Sequence, residues 1–170
     1  MSVRIRSEQA DDIVHIHDVI VAAFLKAPHA DHTEQFIVRE LRRLGALTIS
    51  LVAEEDGLLV GHVALSPVRI SDGANNWYGL GPISVLPERQ GNGIGSQLMN
   101  SAIQQLKQIE AKGCVLLGDP KFYNRFGFAP RKGLVLSGVP EEYFLALLLE
   151  GDLPQGEVFY HKAFLATDYQ

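Results

Sequence analysis

Cysteine is almost missing from this chain, with one in 170 residues, Cys114. That excludes a disulfide framework within the chain and makes a reducing, cytoplasmic setting the simple expectation. Long apolar runs are missing as well. The Leu-rich stretch Tyr143 to Leu149 is far too short to span a membrane, and the N-terminal MSVRIRSEQADD lacks the apolar centre of a signal peptide. There is no surplus of positive charge. A formal net charge of −5 argues against nucleic acid as a partner. No repeat, low-complexity tract or linker interrupts the chain, so a single domain over residues 1–170 is expected. The six histidines, His15, His17, His29, His32, His62 and His161, show no metal spacing with Cys or carboxylate partners, and no metal is expected. The one local cluster, His29-Ala30-Asp31-His32, reads as a solvated loop. What remains is an ordinary globular composition, 46% apolar and 21% charged, in a chain long enough for a full core.

The pattern along the chain predicts a strand over Val3 to Arg6 and a helix opened by Ser7, Ala10 and Asp11. That helix carries Ile13, Ile16, Val19, Ile20, Ala23 and Phe24 at helical spacing and stops at Pro28. Thr33 is a plausible N-cap for a second helix with Phe36, Ile37, Leu41 and Leu44 on one face, and Gly45 as its stop. Thr48 to Glu55 and Leu58 to Ile70 read as a hairpin turned by Asp56-Gly57. Ser71 to Asn76 is a polar loop, and Trp77 to Val85 a strand broken by Gly79, Gly81 and Pro82. A helix follows with Ile94, Leu98, Ala102 and Leu106 in one row, flanked by Met99, Ile103 and Ile109, up to Lys112-Gly113. Cys114 to Leu117 is a short apolar strand, parallel to its predecessor across the helix. Gly118 to Phe128 reads as a loop with one helical turn and Leu134 to Leu136 as a strand. Pro140 to Leu149 reads as a helix and Glu157 to Phe164 as the last strand. A hairpin, a crossover and further strands make an α/β domain with a mixed sheet. Leu145 to Leu149 suits the core or a dimer contact, so the chain is expected as a monomer or homodimer.

The richest stretch is Leu80 to Gln97, LGPISVLPERQGNGIGSQ. A strand runs through a Pro-and-charge turn into Gly91, Gly93 and Gly95, and a helix starts at once. Strand, glycine loop and helix N-terminus together form a backbone cradle for an anion, most often a phosphate. The dinucleotide fingerprint does not fit, since its third glycine would fall at Ser96, and no Gly-Lys-Ser or Gly-Lys-Thr completes a Walker loop. A tight strand-to-helix turn with no ligand is the plain alternative. In an acidic chain the attraction for an anion must be local, from loop N–H groups, the helix end and Arg89, with Lys121 and Arg125 entering later.

Gln90-Gly91-Asn92-Gly93-Ile94-Gly95, behind Ile83-Ser84-Val85-Leu86-Pro87-Glu88, resembles the Q/R-x-x-G-x-G/A signature of the GNAT superfamily of N-acetyltransferases. Downstream, Tyr123-Asn124-Arg125-Phe126-Gly127-Phe128 resembles the family's Y-x-x-x-G-F segment at a fitting separation. Gly118-Asp119-Pro120 and Ser66-Pro67 look like the small stand-alone bacterial branch called YhbS-like. The resemblance implies a central sheet that splays between Trp77–Val85 and Cys114–Leu117, flanked by helices, with acetyl-CoA as co-substrate in the gap. It places the pantetheine arm along Ile83, Ser84 and Val85, with backbone groups of Ile83 and Val85 as its partners, as an added strand would pair. It places the pyrophosphate over N–H groups of Gln90, Gly91, Asn92, Gly93, Ile94, Gly95 and Ser96, where a helix end adds roughly half a positive charge and glycine removes the obstructing Cβ.

The resemblance also implies direct attack of an amine on the thioester in a ternary complex, with Tyr123 as donor to the departing thiolate. If that thiol resembles Cys, with a pKa of about 8.5 against about 10 for Tyr, full proton transfer is uphill by about 2 kcal/mol. Hydrogen-bond donation to the developing charge remains useful. Aromatic packing between Phe122 and Phe126 is the bland reading of Tyr123. For the base, Glu34 is a candidate, though a first-turn acid also complements the helix dipole. Ser66 and Ser84 can orient a water or be simply satisfied side chains. The expected activity is acetyl transfer to an amine whose identity has no readable code, with a non-catalytic acyl-CoA-binding sensor or regulatory module as the alternative.

Overall fold

The computed structural model describes residues 2–28 and 30–167. Its elements run β1 (Arg4–Ser7), α1 (Ile13–Phe24), α2 (Glu34–Arg43), β2 (Ile49–Glu55), β3 (Leu58–Pro67), β4 (Arg69–Ile70), β5 (Trp77–Val85) and α3 (Ile94–Gln108). Then follow β6 (Gly113–Leu117), α4 (Pro120–Tyr123), β7 (Ala129–Pro130), β8 (Leu134–Val135), β9 (Phe144–Leu148) and β10 (Gly156–Phe159). Seven strands form one mixed sheet in the order β1-β2-β3-β5-β6-β9-β7, and β4-β10-β8 form a small second one. The apolar row of α3, including Leu98, Met99 and Leu106, packs with Leu51, Val63 and Leu65 on one face of the large sheet. Ile16 and Ile20 of α1 with Val38 of α2 cover Val52 and Ala64 on the other. Period-2 alternation in the strands is what allows both faces to be buried at once.

Several expectations are corrected. Pro140 to Leu149 is not a helix: Glu141–Tyr143 is a 3-10 turn and Phe144–Leu148 is β9, paired antiparallel along all five residues of β6. The Leu-Ala-Leu-Leu run has helical propensity, but the open edge of β6 supplies a full ladder and buries Leu145 and Ala146. That run is core. The long strand Leu58 to Ile70 breaks at Val68 into β3 and β4. Glu157 to Phe164 is β10 followed by a 3-10 turn at Lys162–Leu165. Helix α1 stops at Phe24, well before Pro28, and Ile109 lies past the end of α3, half exposed. Thr33 occupies the N-cap position of α2, but its side chain makes no capping bond. His29 lies outside the described residues.

The sheet divides at β5 and β6. These parallel strands pair only through Trp77–Gly79 against Gly113–Val115. The Trp77 indole lies on the Gly113 backbone, where a Cβ would stand 2.2 Å from the ring, so the strands are clamped at this end. Beyond it β5 bulges: Leu80 to Ile83 spans three steps while its partners Leu65 to Val63 span two. A bulge bends its strand and raises its twist. From Leu80 onward β5 keeps β3 on one edge and, among the described residues, has no strand on the other.

Candidate active site

The chain leaves β5 through a 3-10 turn at Pro87–Arg89, and Asn92 stitches the loop by donating to the carbonyls of Arg89 and Gln90, each at 3.1 Å. Gly91 and Gly93 stand at φ +79° and +81°, in the left-handed region that side chains disfavour, with nothing within 4 Å of a Cβ built on either. Gly93 is the N-cap of α3 and has no side chain to cap it. The first N–H groups of α3, at Ile94, Gly95 and Ser96, have no carbonyl one turn back within the helix to bond. They face a cleft of about 360 Å³ also lined by Val85, Phe122 and Arg125. Arg125 lies over the Phe122 ring, 4.8 Å from its centroid, and makes no ion pair among the described residues. Arg89 lines the cleft too, but donates to Glu55 at 2.6 Å and is committed to β2. Lys121 is exposed and does not line it.

The direction of the β5 backbone follows from one bond. Leu86 N–H donates to Val60 O at 2.9 Å, toward β3. Backbone groups alternate sides along a strand, so Ser84 also points to β3, while Ile83 and Val85 point to the open edge. Val85 O accepts from the Gln90 side chain at 3.0 Å and keeps a second lone pair. The candidates Ile83, Val85, Gln90, Gly91, Gly93, Ile94, Gly95 and Ser96 therefore meet along one continuous path from strand edge to helix end. Asn92 builds the loop, and Ser84 turns its side chain to the other face.

Tyr123 ends α4, and its ring lies on Gly118 just past β6, where a Cβ would come within 2.2 Å. Phe122 meets it edge-on, with centroids 4.8 Å apart. Burial raises the pKa of its phenol, and its hydroxyl has no hydrogen-bond partner among the described residues. Glu34 Oε2 accepts from Asp31 N–H at 3.2 Å, and its Oε1 is buried without a partner.

On the sheet face covered by α1, Ser66, Ser84 and His62 are all buried, and Ser66 Oγ, Ser84 Oγ and His62 Nδ1 have no partner among the described residues. His62 Nε2 lies 2.8 Å from Ser50 Oγ, Ser50 donates to Glu8, and Arg42 donates twice to Glu8 at 2.9 Å. Burial opposes the charge on Glu8, but the bonds from Arg42 and Ser50 outweigh it and hold its pKa below the usual range. Burial pushes the His62 imidazole down to about 4. The unfolded chain takes up that proton near pH 6.5, so folding stability is full above that value and falls as pH drops toward 4. The loss attributable to His62 is about 3 kcal/mol, which chemical denaturation at pH 7 and pH 4 will measure against His62→Gln. No local sequence signal pointed to this network, because its members come from β1's end, α2, β2 and β3.

Among the described residues no group of three or more His, Cys, Asp or Glu is placed to hold a metal ion, and no helix is long and apolar enough to cross a membrane. A family model described as an acetyltransferase (GNAT) domain matches residues 47–130. The Escherichia coli K12 protein called "Uncharacterized N-acetyltransferase YhbS" is 36% identical over 109 residues; the match spans 64% of this chain and 65% of the length of that relative. A crystal structure of a GNAT family acetyltransferase from Brucella melitensis in complex with acetyl-CoA superposes with a TM-score of 0.86 at 47% identity, covering 96% of this chain and 98% of that one. The structure of Escherichia coli YhbS in complex with CoA gives 0.85 at 30% identity, covering 98% and 93%.

Proposed function

Because this chain belongs to the GNAT family of acetyltransferases, we propose that it moves an acetyl group from acetyl-CoA to an amine by direct attack in a ternary complex. The observation that carries the reading is the open edge of β5 running into an uncapped helix N-terminus, with glycine where a Cβ would fill the cradle. These residues fit the co-substrate. The backbone groups of Ile83 and Val85 are free to pair with the two amides of a pantetheine arm, and N–H groups of the glycine loop and Ile94 to Ser96 to hold the pyrophosphate. Acetyl-CoA supplies the activated carbonyl and a thiolate leaving group. Tyr123 supplies the hydrogen-bond donor for that thiolate. A covalent acetyl-cysteine route has no support, since the lone Cys114 is buried and burial raises its thiol pKa far out of reach.

Arg125 offers the cleft a guanidinium with no ion pair among the described residues, available to a phosphate group. Arg125→Ala is expected to weaken CoA binding on the order of 10-fold at low salt, with the difference shrinking as salt screens it. Calorimetric titration at two ionic strengths checks this. The function itself is tested by thiol release from acetyl-CoA against a panel of amines, amino acids and peptides. Amine-dependent release supports transfer; tight CoA binding with no release across the panel favours the acyl-CoA-binding module.

A further inference from the structure

The polar groups on the α1 face of the sheet are arranged in a line. In β3 alternation puts His62, Ala64 and Ser66 on that face. His62 is directly opposite Ser84 of β5, and Ser66 opposite Gly79. Ser84 lies five steps along the strand from Gly79, an odd number, and only the bulge between them lets both face the same way. The stretch of β5 between these two levels holds Gly81 and Pro82, at the bulge that begins the open edge. Three side chains on this face, each at most 2% exposed, end in an atom with no partner among the described residues: His62 Nδ1, Ser84 Oγ and Ser66 Oγ. Buried polar atoms without partners are rare, and the facing pair His62 and Ser84 marks a place for a hydrogen-bonding guest.

The tautomer of His62 follows from its other side. Glu8 is an ionised carboxylate and only accepts. Ser50 spends its proton on Glu8, so its oxygen must accept, and the group it accepts from is His62 Nε2–H. Nδ1 is left as a bare acceptor. The charged groups acting on His62 are Glu8 and Arg42. α1 and α2 meet this face with Ile16, Ile20 and Val38, β2 with Val52, and β5 with Ser84. His17 of α1 lines one cleft between α1 and α2, and His15 and Asp18 line another beside the β2–β3 hairpin.

Resting on the acetyl-transfer reading, we infer that Glu8 and Ser50 lock His62 with Nδ1 open so that it takes the proton of the attacking amine, through Ser84 Oγ or a water held there. As the C–N bond forms from the neutral amine and the C–S bond breaks, the nitrogen gives up one proton and the coenzyme leaves as a thiolate that Tyr123 hydrogen-bonds. Ser84 Oγ or the water takes that proton while passing its own to Nδ1; burial keeps the imidazolium short-lived, and Glu8 offsets part of its cost. The proton leaves to solvent once the product has gone, restoring neutral His62. His62, Ser50 and Glu8 are positioning residues in this scheme, the histidine acting through the bridge.

Ser50→Ala and Ser50→Thr test it, since threonine keeps the hydroxyl. Ser50→Ala is expected to lower kcat on the order of 100-fold, the low end for positioned proton transfer, with acetyl-CoA affinity unchanged and Ser50→Thr close to the parent. Parent and variant both need the amine unprotonated, so both rates should climb with pH toward the acceptor's own pKa, with Ser50→Ala below the parent throughout. Nitrogen NMR of His62 in the parent should show Nε2 protonated and Nδ1 bare at pH 7. Parental kcat in Ser50→Ala, an equal loss in Ser50→Thr, or a protonated Nδ1 would overturn the inference. A parent with no amine-dependent thiol release defeats the acetyl-transfer reading instead, and the NMR result then still decides the tautomer lock by itself.

Discussion

Gly93→Val is expected to raise the CoA dissociation constant by more than on the order of 100-fold. Gly93 sits at φ +81° as the N-cap of α3, and a β-branched residue is a genuine outlier there. Either the backbone holds, at a cost of about 1–3 kcal/mol in folding stability, or the turn relaxes and the N–H groups of Ile94, Gly95 and Ser96 no longer converge. In both cases a side chain enters space that is open within 4 Å. Gly95→Ala is the informative control. Its backbone is ordinary helix, and its Cβ would meet only Phe122 Cζ at 3.9 Å, so the fold should be untouched. Titration with CoA, beside thermal unfolding of each variant, separates loss of the cradle from loss of the fold. Normal CoA affinity in a folded Gly93→Val protein would remove the glycine loop from the binding site.

Tyr123→Phe is expected to cut turnover on the order of 100-fold, the effect of deleting one donor aimed at developing negative charge. CoA affinity should stay within about twofold, since hydrogen bonding to the neutral ground state adds little net energy. The hydroxyl has no partner among the described residues, so its removal leaves no buried group stranded. The ring keeps its seat on Gly118 and against Phe122. Burial raises the phenol pKa, so the donor stays protonated past the ordinary value of about 10. Any alkaline loss of rate due to Tyr123 should therefore appear only above that pH. Steady-state thiol release as a function of pH gives both results. Unchanged turnover in the variant returns Tyr123 to aromatic packing.

Much of this architecture could be read locally. Asp56 and Gly57 turn the β2–β3 hairpin with φ of +53° and +80°, the positive pair that a two-residue turn demands. The glycine loop and the start of α3 are a contiguous signal, as are the Tyr123 segment and the parallel crossover. What escaped depends on partners far away in sequence. β9 is a strand because β6 needs an antiparallel neighbour, and nothing within Phe144-Leu145-Ala146-Leu147-Leu148 states that. The lock on His62 joins residues 8, 42, 50 and 62 through tertiary contacts alone. The role of Ser84 was ambiguous for the same reason: one bulge decides which face it shares, and with which residue of β3 it pairs.

The central claim is that the path from the β5 edge to the glycine loop presents acetyl-CoA for direct attack by an amine. Rapid mixing of the protein with acetyl-CoA, with and without an acceptor found in the amine panel, tests it most directly. The account predicts no thiol release and no acetyl group on the protein until the amine is added, then release matched one-for-one by acetylated amine. A burst of thiol without amine, leaving the protein acetylated, would contradict it.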